Sequence, residues 1–482
     1  MKCAFLSVHL ILLLTLLLLI LGLKFTFLYY SVRLQFGLEE PVHLFVVDAF
    51  YYNSSKSFPN STLAILFNTR KHVPTLPLTC QTRDHSGHII KAEVQIDRLV
   101  NAPGQCEFTT FVALCPAVLD PVDLSIGVDN SPLEKVPFSM ADYEPRKLVV
   151  CMSRMYLFEN WQLLFTSLEI YRHFGADLMV AYVESVISDI AQIMSAYENE
   201  GFLKIKPGLR MFRHETMPYD PNSQTEWRNQ LPVYNSCLYE FKESAEFIMF
   251  ADWDDVFIPN NYHTTMEELI FQSRIHPSAG ALVFPWKKAH VTTSENPLNF
   301  NISITFSTLK RGETQHGGKY VAIPSRVHGT WIHAASKLTR GYEQVWLAET
   351  VSSFWHLRHW TYYDEPESLF NAGKLSIGNS SELYSSFEDL LSRHNLTKIF
   401  SRLPSKSVYY PIMVNCYSAM ESNTTRNTIS VCPGPHHCDV PQLDIKCMNL
   451  RTEFRSRHLL NGVYVHQRFV NELYESSKGC ML

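Results

Sequence analysis

The run Phe247-Ile248-Met249-Phe250 leads directly into Ala251-Asp252-Trp253-Asp254-Asp255. Carboxylates packed this closely repel one another unless something positive sits between them. A divalent cation serves, and hard oxygen ligands suit Mn2+ or Mg2+. Such an ion can bridge a nucleotide diphosphate and neutralise the charge that builds on a leaving phosphate. In parallel α/β sheets, ligands bind beyond the carboxyl ends of the strands, which is where this cluster falls if 247–250 is a buried strand. For an isolated Asp-x-Asp, an acidic turn in which an Asp caps the next helix is the better account, and only its place after a buried strand, in an alternating α/β series, brings the two readings level. The elements around it have to decide.

From Pro145 onward the texture alternates between strands and helices. Residues 148–151 form a short apolar run of strand type. Trp161, Leu164, Phe165 and Leu168 then recur at helical spacing, and Gly175 follows where a C-terminal cap belongs. A second buried strand is predicted at 178–183. A second helix is marked by Ile187, Ile190, Met194 and Tyr197 and closed by Gly201, and a third strand follows at 203–205. A helix over 231–241 precedes the strand 247–250. This order implies a mostly parallel sheet covered by helices on both faces. Before it, 42–140 holds short β-prone runs at 44–47, 63–67, 111–114 and 124–128, punctuated by Pro, Asn, Asp and Gly, which reads as a small all-β module. The stretch after Asn371 holds five cysteines and three sequons and reads as an irregular, disulfide-stapled tail. The expected organisation is a tip, anchor and stem over 1–40, a β-rich module over 41–144, an α/β domain over 145–370 and the tail over 371–482.

Residues 4–23 are almost wholly apolar, the length a helix needs to cross a bilayer core. No small-x-small cleavage site follows Leu23, so a retained anchor is expected in preference to a cleaved signal peptide. Asn-x-Ser/Thr sequons occur at Asn53, Asn60, Asn301, Asn379, Asn395 and Asn423. Beyond Cys3 an even set of ten cysteines suits an oxidising compartment, and Cys80 with Cys115 is one candidate clamp on the β module. Anchor, sequons and cysteines agree on a type II protein with its body in the lumen, and a Golgi membrane is the expected location. Across 482 residues, 46% hydrophobic and 18% charged content describes a folded chain, and a net charge of −5 gives no reason to expect nucleic-acid binding.

With these residues laid out, the chain resembles glycosyltransferase family 92, the former domain of unknown function 23. Its nematode members include β-galactosyltransferases that act on fucose of the N-glycan core. Four blocks carry the likeness in family order over 145–360. The first runs from Cys151 through Glu159, Trp161, Glu169-Ile170-Tyr171 and Phe174-Gly175-Ala176 to Tyr182, Ser185, Tyr197-Glu198 and Gly201. The second joins Gln230-Leu231 and Cys237-Leu238 to 250–255 and Phe257-Ile258-Pro259. The third spans 319–333 with Pro324 and Ile332-His333, and the fourth is Trp355-His356-Leu357-Arg358.

The resemblance implies a GT-A-like, Rossmann-type mixed sheet behind the β-rich module and a transmembrane helix. It makes Asp252 and Asp254 the ligands of metal and diphosphate. His333 and His356 fall on the family's two downstream histidines, and His356 is expected to complete the metal sphere, with His333 in a catalytic role. Arg358 is placed to grip the diphosphate bidentately, a surface ion pair being its bland alternative. By fold analogy alone, uridine is expected near 151–154, including Arg154, and near Tyr182. The implied reaction is inverting transfer of a hexose, galactose first, from a UDP-sugar to a glycoprotein glycan such as core fucose. A carboxylate general base is required, with Asp255 first and Asp364 or Glu365 next. Trp331, Trp355 and Trp360 are candidates for stacking on sugar faces or for plain core packing. Ser236 departs from the family by replacing an Asp, and Glu226 is a nearby substitute. Three other readings remain: the same fold with another UDP-sugar, a tethered glycan-binding protein without turnover, and a calcium-binding module, for which the regular acidic spacing is missing.

Overall fold

The computed structural model describes residues 41–72, 77–102, 104–128, 131–260, 263–361, 372–374, 380–425 and 431–482. The predicted anchor at 4–23 lies outside these residues. Among the described residues no helix is long and apolar enough to cross a membrane.

The α/β part is organised by four parallel strands. Arg146–Met152 pairs with Leu178–Val183 on one side and with Ala245–Ala251 on the other, and Leu178–Val183 pairs in turn with Leu203–Pro207. Numbered by appearance in the chain, the spatial order is third, second, first, fourth, so the connection reverses direction between Arg146–Met152 and Ala245–Ala251. A crevice opens at such a reversal, beyond the carboxyl ends of the two strands. On the far side Lys310–Ala322 joins Ala245–Ala251 and Ala279–Thr292 joins Lys310–Ala322, both antiparallel; Ser353–Thr361 then adds parallel to Ala279–Thr292, and Asp255–Ile258, antiparallel to it, closes the curled mixed sheet.

Every residue of Leu178–Val183 is buried, because helices cover both faces of this strand. Alternate side chains go to opposite cores. Leu148, Val150 and Met179 pack against the helices Trp161–His173 and Ser188–Asn199. Val149, Leu178 and Val180 pack against the helix Gln230–Glu240. The first helix ends at His173 with Phe174 as its cap, and Gly175, at a φ of +81°, continues the chain in the left-handed region.

The N-terminal module is all-β, and its core is continuous with the face of the α/β sheet that carries Gln230–Glu240: Phe45, Phe50, Tyr52 and Leu66 share one cluster with Tyr234 and Leu238. The C-terminal stretch departs from the irregular tail expected of it. It forms the helices Ser380–Arg393 and Tyr409–Thr425 and a long hairpin, Cys447–His458 with Val463–Ser476. That hairpin adds to the N-terminal sheet by parallel pairing of Val42–Phe45 with Val463–His466. The first and last strands of the described residues therefore belong to one sheet, which composition along either segment does not reveal.

The ten cysteines beyond Cys3 form five disulfides. They pair Cys80–Cys115, Cys106–Cys432, Cys151–Cys237, Cys416–Cys438 and Cys447–Cys480. Cys151–Cys237 fastens the first parallel strand to the helix beneath it, and Cys106–Cys432 fastens the N-terminal module to the C-terminal part.

Candidate active site

The acidic run is held by backbone before any side chain acts. Ala245–Ala251 ends at Asp252, and a turn closed by Asp255 N–H on Asp252 C=O (2.9 Å) starts the strand Asp255–Ile258. That strand runs antiparallel to Ser353–Thr361 with Asp255 opposite His356, and Leu357 N–H donates to Asp254 C=O. The ladder thus delivers His356 to the acidic turn: its Nε2 lies 2.9 Å from Asp254 Oδ2. Its Nδ1 is 2.9 Å from the Gln315 amide, and its ring stacks on Trp286 at 4.7 Å.

The positive charge that the three carboxylates require comes in part from a residue that sequence reasoning assigned no role. Lys319, 0% exposed, places Nζ 2.5 Å from Asp252 Oδ2 and 3.1 Å from Asp255 Oδ2. Burial would lower the Lys319 pKa, but the two carboxylates more than offset it and raise it. Burial would likewise raise Asp252, yet Lys319 holds it below the ordinary carboxylate range. Asp252 Oδ1 also accepts from Gln230 Nε2 at 3.0 Å. For Asp254, His356 outweighs burial and lowers the pKa, while His356 is raised by the same pairing against its own burial. Asp255 goes the other way: burial dominates and pushes it up.

A cavity of about 450 Å³ opens at the topological reversal. Ser153 and Arg154 enter it from the end of the first strand, and Asp252, Trp253 and Asp254 from the end of the fourth. Trp286, His333 and His356 complete the polar side. Tyr410, Met413, Val414 and Tyr417 of the C-terminal part form a further wall. Glu159 positions that wall by accepting the backbone N–H groups of Val408 (2.9 Å) and Tyr410 (2.6 Å) at the start of the helix Tyr409–Thr425. His333 Nδ1–H donates to Gly318 C=O at 2.8 Å, so its lone pair is on Nε2. Burial first, and Lys319 second, lower its pKa to about 4 and keep it neutral. Glycine at 318 is required by the adjoining strand Ala279–Thr292, since a Cβ there would lie 2.5 Å from Val283 Cγ1 and 2.7 Å from Phe284 O.

Asp252, Asp254, His333, His356 and Arg154 are therefore brought to one cavity. Arg154 is committed within it. Its guanidinium pairs with Glu184 at 2.5 Å and donates to Trp227 C=O, which leaves it forming the wall. Tyr182 is not brought there: it is 2% exposed, in the core shared with Leu178 and Tyr234. Asp255 lies beneath the cavity at 0% exposure, with Oδ1 accepting from Trp286 Nε1 (2.6 Å) and Oδ2 facing Lys319. Both oxygens are engaged, so Asp255 is a poor fit for the base expected of it. Ser236 is also away from the cavity. It donates to Asp48 Oδ2 at 2.5 Å, and Asp48 pairs with Arg468, so a carboxylate from the N-terminal module occupies this junction. Trp331 binds Glu226, and Trp355 is buried at 3% exposure. The side chains of Arg358 and Trp360, and all of Asp364 and Glu365, lie outside the described residues.

Asp254, Asp255 and His356 bring one ligand atom each to within 4.8 Å of one another. Two carboxylate oxygens and an imidazole nitrogen are a donor set that Mn2+ accepts readily, and more readily than Mg2+, which prefers oxygen alone. The set differs from the one expected in holding Asp255 in the place of Asp252, and Lys319 lies against both carboxylates.

Residues 146–428 match the model of glycosyltransferase family 92. The chain belongs to glycosyltransferase family 92. A family 92 protein of Caenorhabditis elegans is 32% identical over 470 residues, covering 91% of this chain and 88% of its own length. A second from the same organism is 27% identical over 468 residues, covering 92% and 91%. Among solved structures, S. aureus TarS in complex with UDP-GlcNAc is 14% identical over 53% of this chain and 71% of that one, with a TM-score of 0.25, too slight a likeness to bear on fold or donor. Sugar transfer from a donor to an acceptor is thus the activity class of this chain.

Proposed function

We propose that the chain is a metal-dependent inverting glycosyltransferase that moves a hexose, galactose first, from a UDP-sugar to a glycan of glycoproteins. The carrying observation is the pairing of Asp254 with His356 beside Asp252 at the mouth of one cavity, at the reversal of the parallel sheet. In this reading Asp252, Asp254 and His356 hold Mn2+, with Asp255 supporting from below. A bound divalent ion would supply neutralisation of the charge on the departing diphosphate. Asp254 and His356 would exchange their mutual bond for the ion, and Lys319 would keep Asp252 ionised and oriented. His333, neutral and fixed as a tautomer, presents a lone pair to the sugar and acceptor. Placement in a Golgi membrane as a type II protein rests on the apolar run 4–23 and on the disulfides, which suit an oxidising lumen.

Lys319 favours a second reading, transfer without a metal, because a buried cation already touches the acidic run. The test is a purified lumenal chain, residues 41–482, given a panel of UDP-sugars with a fucosylated N-glycan, with Mn2+ or with chelator. Metal-dependent UDP release confined to UDP-galactose is the expected result. Turnover untouched by chelator selects the second reading, and glycan binding without turnover contradicts both.

A further inference from the structure

We propose that Glu226 is the carboxylate that accepts the acceptor-hydroxyl proton during transfer, an assignment that rests on the transferase reading above. The other carboxylates in and around the cavity are engaged. Asp252 and Asp255 face Lys319, Asp254 faces His356, Glu159 caps a helix, and Glu184 is gripped by Arg154, Arg210 and Arg228. Glu226 instead has one recorded bond among the described residues, from the neutral Trp331 Nε1–H to its Oε2 at 3.1 Å. Glu226 and Trp331 stand directly behind the lining, whose surface is made here by Trp227 and Gln230 along the chain and by Ile332 and His333 beyond Trp331.

The backbone around Glu226 is held with unusual firmness. Trp227, Arg228 and Asn229 are three consecutive non-glycine residues at positive φ, of 46°, 49° and 70°. Such a run persists only where its surroundings over-determine it, and it is a mark of functional sites. Here Trp227 N–H donates to Pro433 C=O at 2.8 Å, Trp227 C=O accepts from Arg154, Arg228 binds Glu184 at 2.8 Å, and the Asn229 amide donates to Leu209 C=O at 3.0 Å. With Asn68 Nδ2 donating to Asn229 Oδ1 at 3.2 Å, the N-terminal module joins the α/β sheet and the C-terminal part in fixing the segment that carries Glu226 and Gln230.

Burial raises the Glu226 pKa to about 7, and the Trp331 bond offsets this only in part. The groups facing it are Trp331, which does not titrate, and behind Trp331 the neutral His333. The two cations that fix this segment, Arg154 and Arg228, are spent on Glu184. A base with affinity near the working pH combines availability with driving force. In the step, the acceptor oxygen forms a bond to the anomeric carbon, whose bond to the β-phosphate oxygen breaks. The electron pair leaves with UDP, and the hydroxyl proton passes to Glu226.

Glu226→Gln tests this in the lumenal chain, because the amide oxygen still accepts from Trp331 while the basic site is lost. Transfer kcat is expected to fall about 10²- to 10⁴-fold. UDP affinity with Mn2+ should stay within about twofold, and the rise of kcat/KM with pH near 7 in the parent should vanish. Turnover within a few-fold of the parent, or a persisting rise with pH, overturns the assignment. Lost UDP binding or a collapsed Tm in the variant also overturns it, by showing a structural role. A parent that turns over no donor at all instead sinks the transferase reading on which the assignment stands.

Discussion

Replacing Lys319 with Met keeps the length and most of the packing of the side chain but removes the cation shared by Asp252 and Asp255. Asp255, at 0% exposure, would keep only Trp286 Nε1–H and the more distant Asp252 N–H as partners. Breaking a buried pair by deleting one member costs about 3–5 kcal/mol, because it strands the other charge. Unfolding entropy of about 2.1 cal/mol/K per residue over 482 residues is roughly 1 kcal/mol/K for a single cooperative unit. The expected fall in Tm at pH 7.5 is therefore about 3–5 °C by scanning calorimetry. The pH dependence fixes the cause. Asp255 has a folded pKa above its unfolded value, so the folded state holds the extra proton between those two values, and stability falls as pH rises through that window. Losing Lys319 raises the upper edge further, so the deficit should shrink toward acid, where a protonated Asp255 needs no cation. Mn2+ should recover part of the loss by binding the folded form. A variant within 1 °C of the parent near neutrality, or a deficit that grows toward acid, would refute the charge-compensation argument (~1 kcal/mol being the least that a stranded buried group costs).

Three further outcomes follow from the same geometry. Glu159→Gln should cost about 1 kcal/mol through the weakened cap and speed hydrogen exchange over 408–417; unchanged exchange there would separate Glu159 from the helix it caps. Asp254→Asn should reduce transfer at least about 10²-fold at nearly unchanged Tm near pH 8. His356 has a raised folded pKa, so its pairing with Asp254 contributes below the ordinary imidazole pKa and is lost as pH rises through the raised value; the variant's stability deficit should therefore be confined to the acid side, and an equal deficit at pH 8 contradicts the pairing. Replacing Cys106 and Cys432 together with Ser should cost about 2–5 kcal/mol, read as a fall in Tm under non-reducing conditions; an unchanged Tm would mean that this bridge ties nothing down.

The parallel half of the fold is legible because three of its four strands carry buried apolar runs and its helices carry apolar spacing closed by Gly175 and Gly201. The helix expected over 231–241 is found at Gln230–Glu240, and the strand expected over 247–250 at Ala245–Ala251. The acidic turn was legible for the same reason, since a strand that must be buried ends on it. Lys319 was not, because a lysine in the polar-looking stretch 310–319 gives no sign that it turns inward; only the pairing of Lys310–Ala322 with Ala245–Ala251 puts it over Asp252. Tyr182 and Asp255 were misplaced by adjacency: closeness in sequence to a strand end says which strand a residue belongs to, but not which face it points from. The C-terminal hairpin pairs locally, but its strands are largely polar and half-exposed and give no clean buried alternation to read, while its attachment to Val42–Phe45 is non-local and leaves no mark on local composition.

The central claim is that the acidic turn and His356 exist to hold a divalent ion and, through it, a donor's phosphates. Anomalous scattering from a crystal of residues 41–482 soaked with Mn2+ and UDP tests it most directly. The account predicts one manganese peak between Asp254 and His356, with the UDP phosphates in the cavity lined by Ser153, Arg154 and Trp286. UDP bound there with no manganese, or manganese bound away from Asp254 and His356, would contradict it.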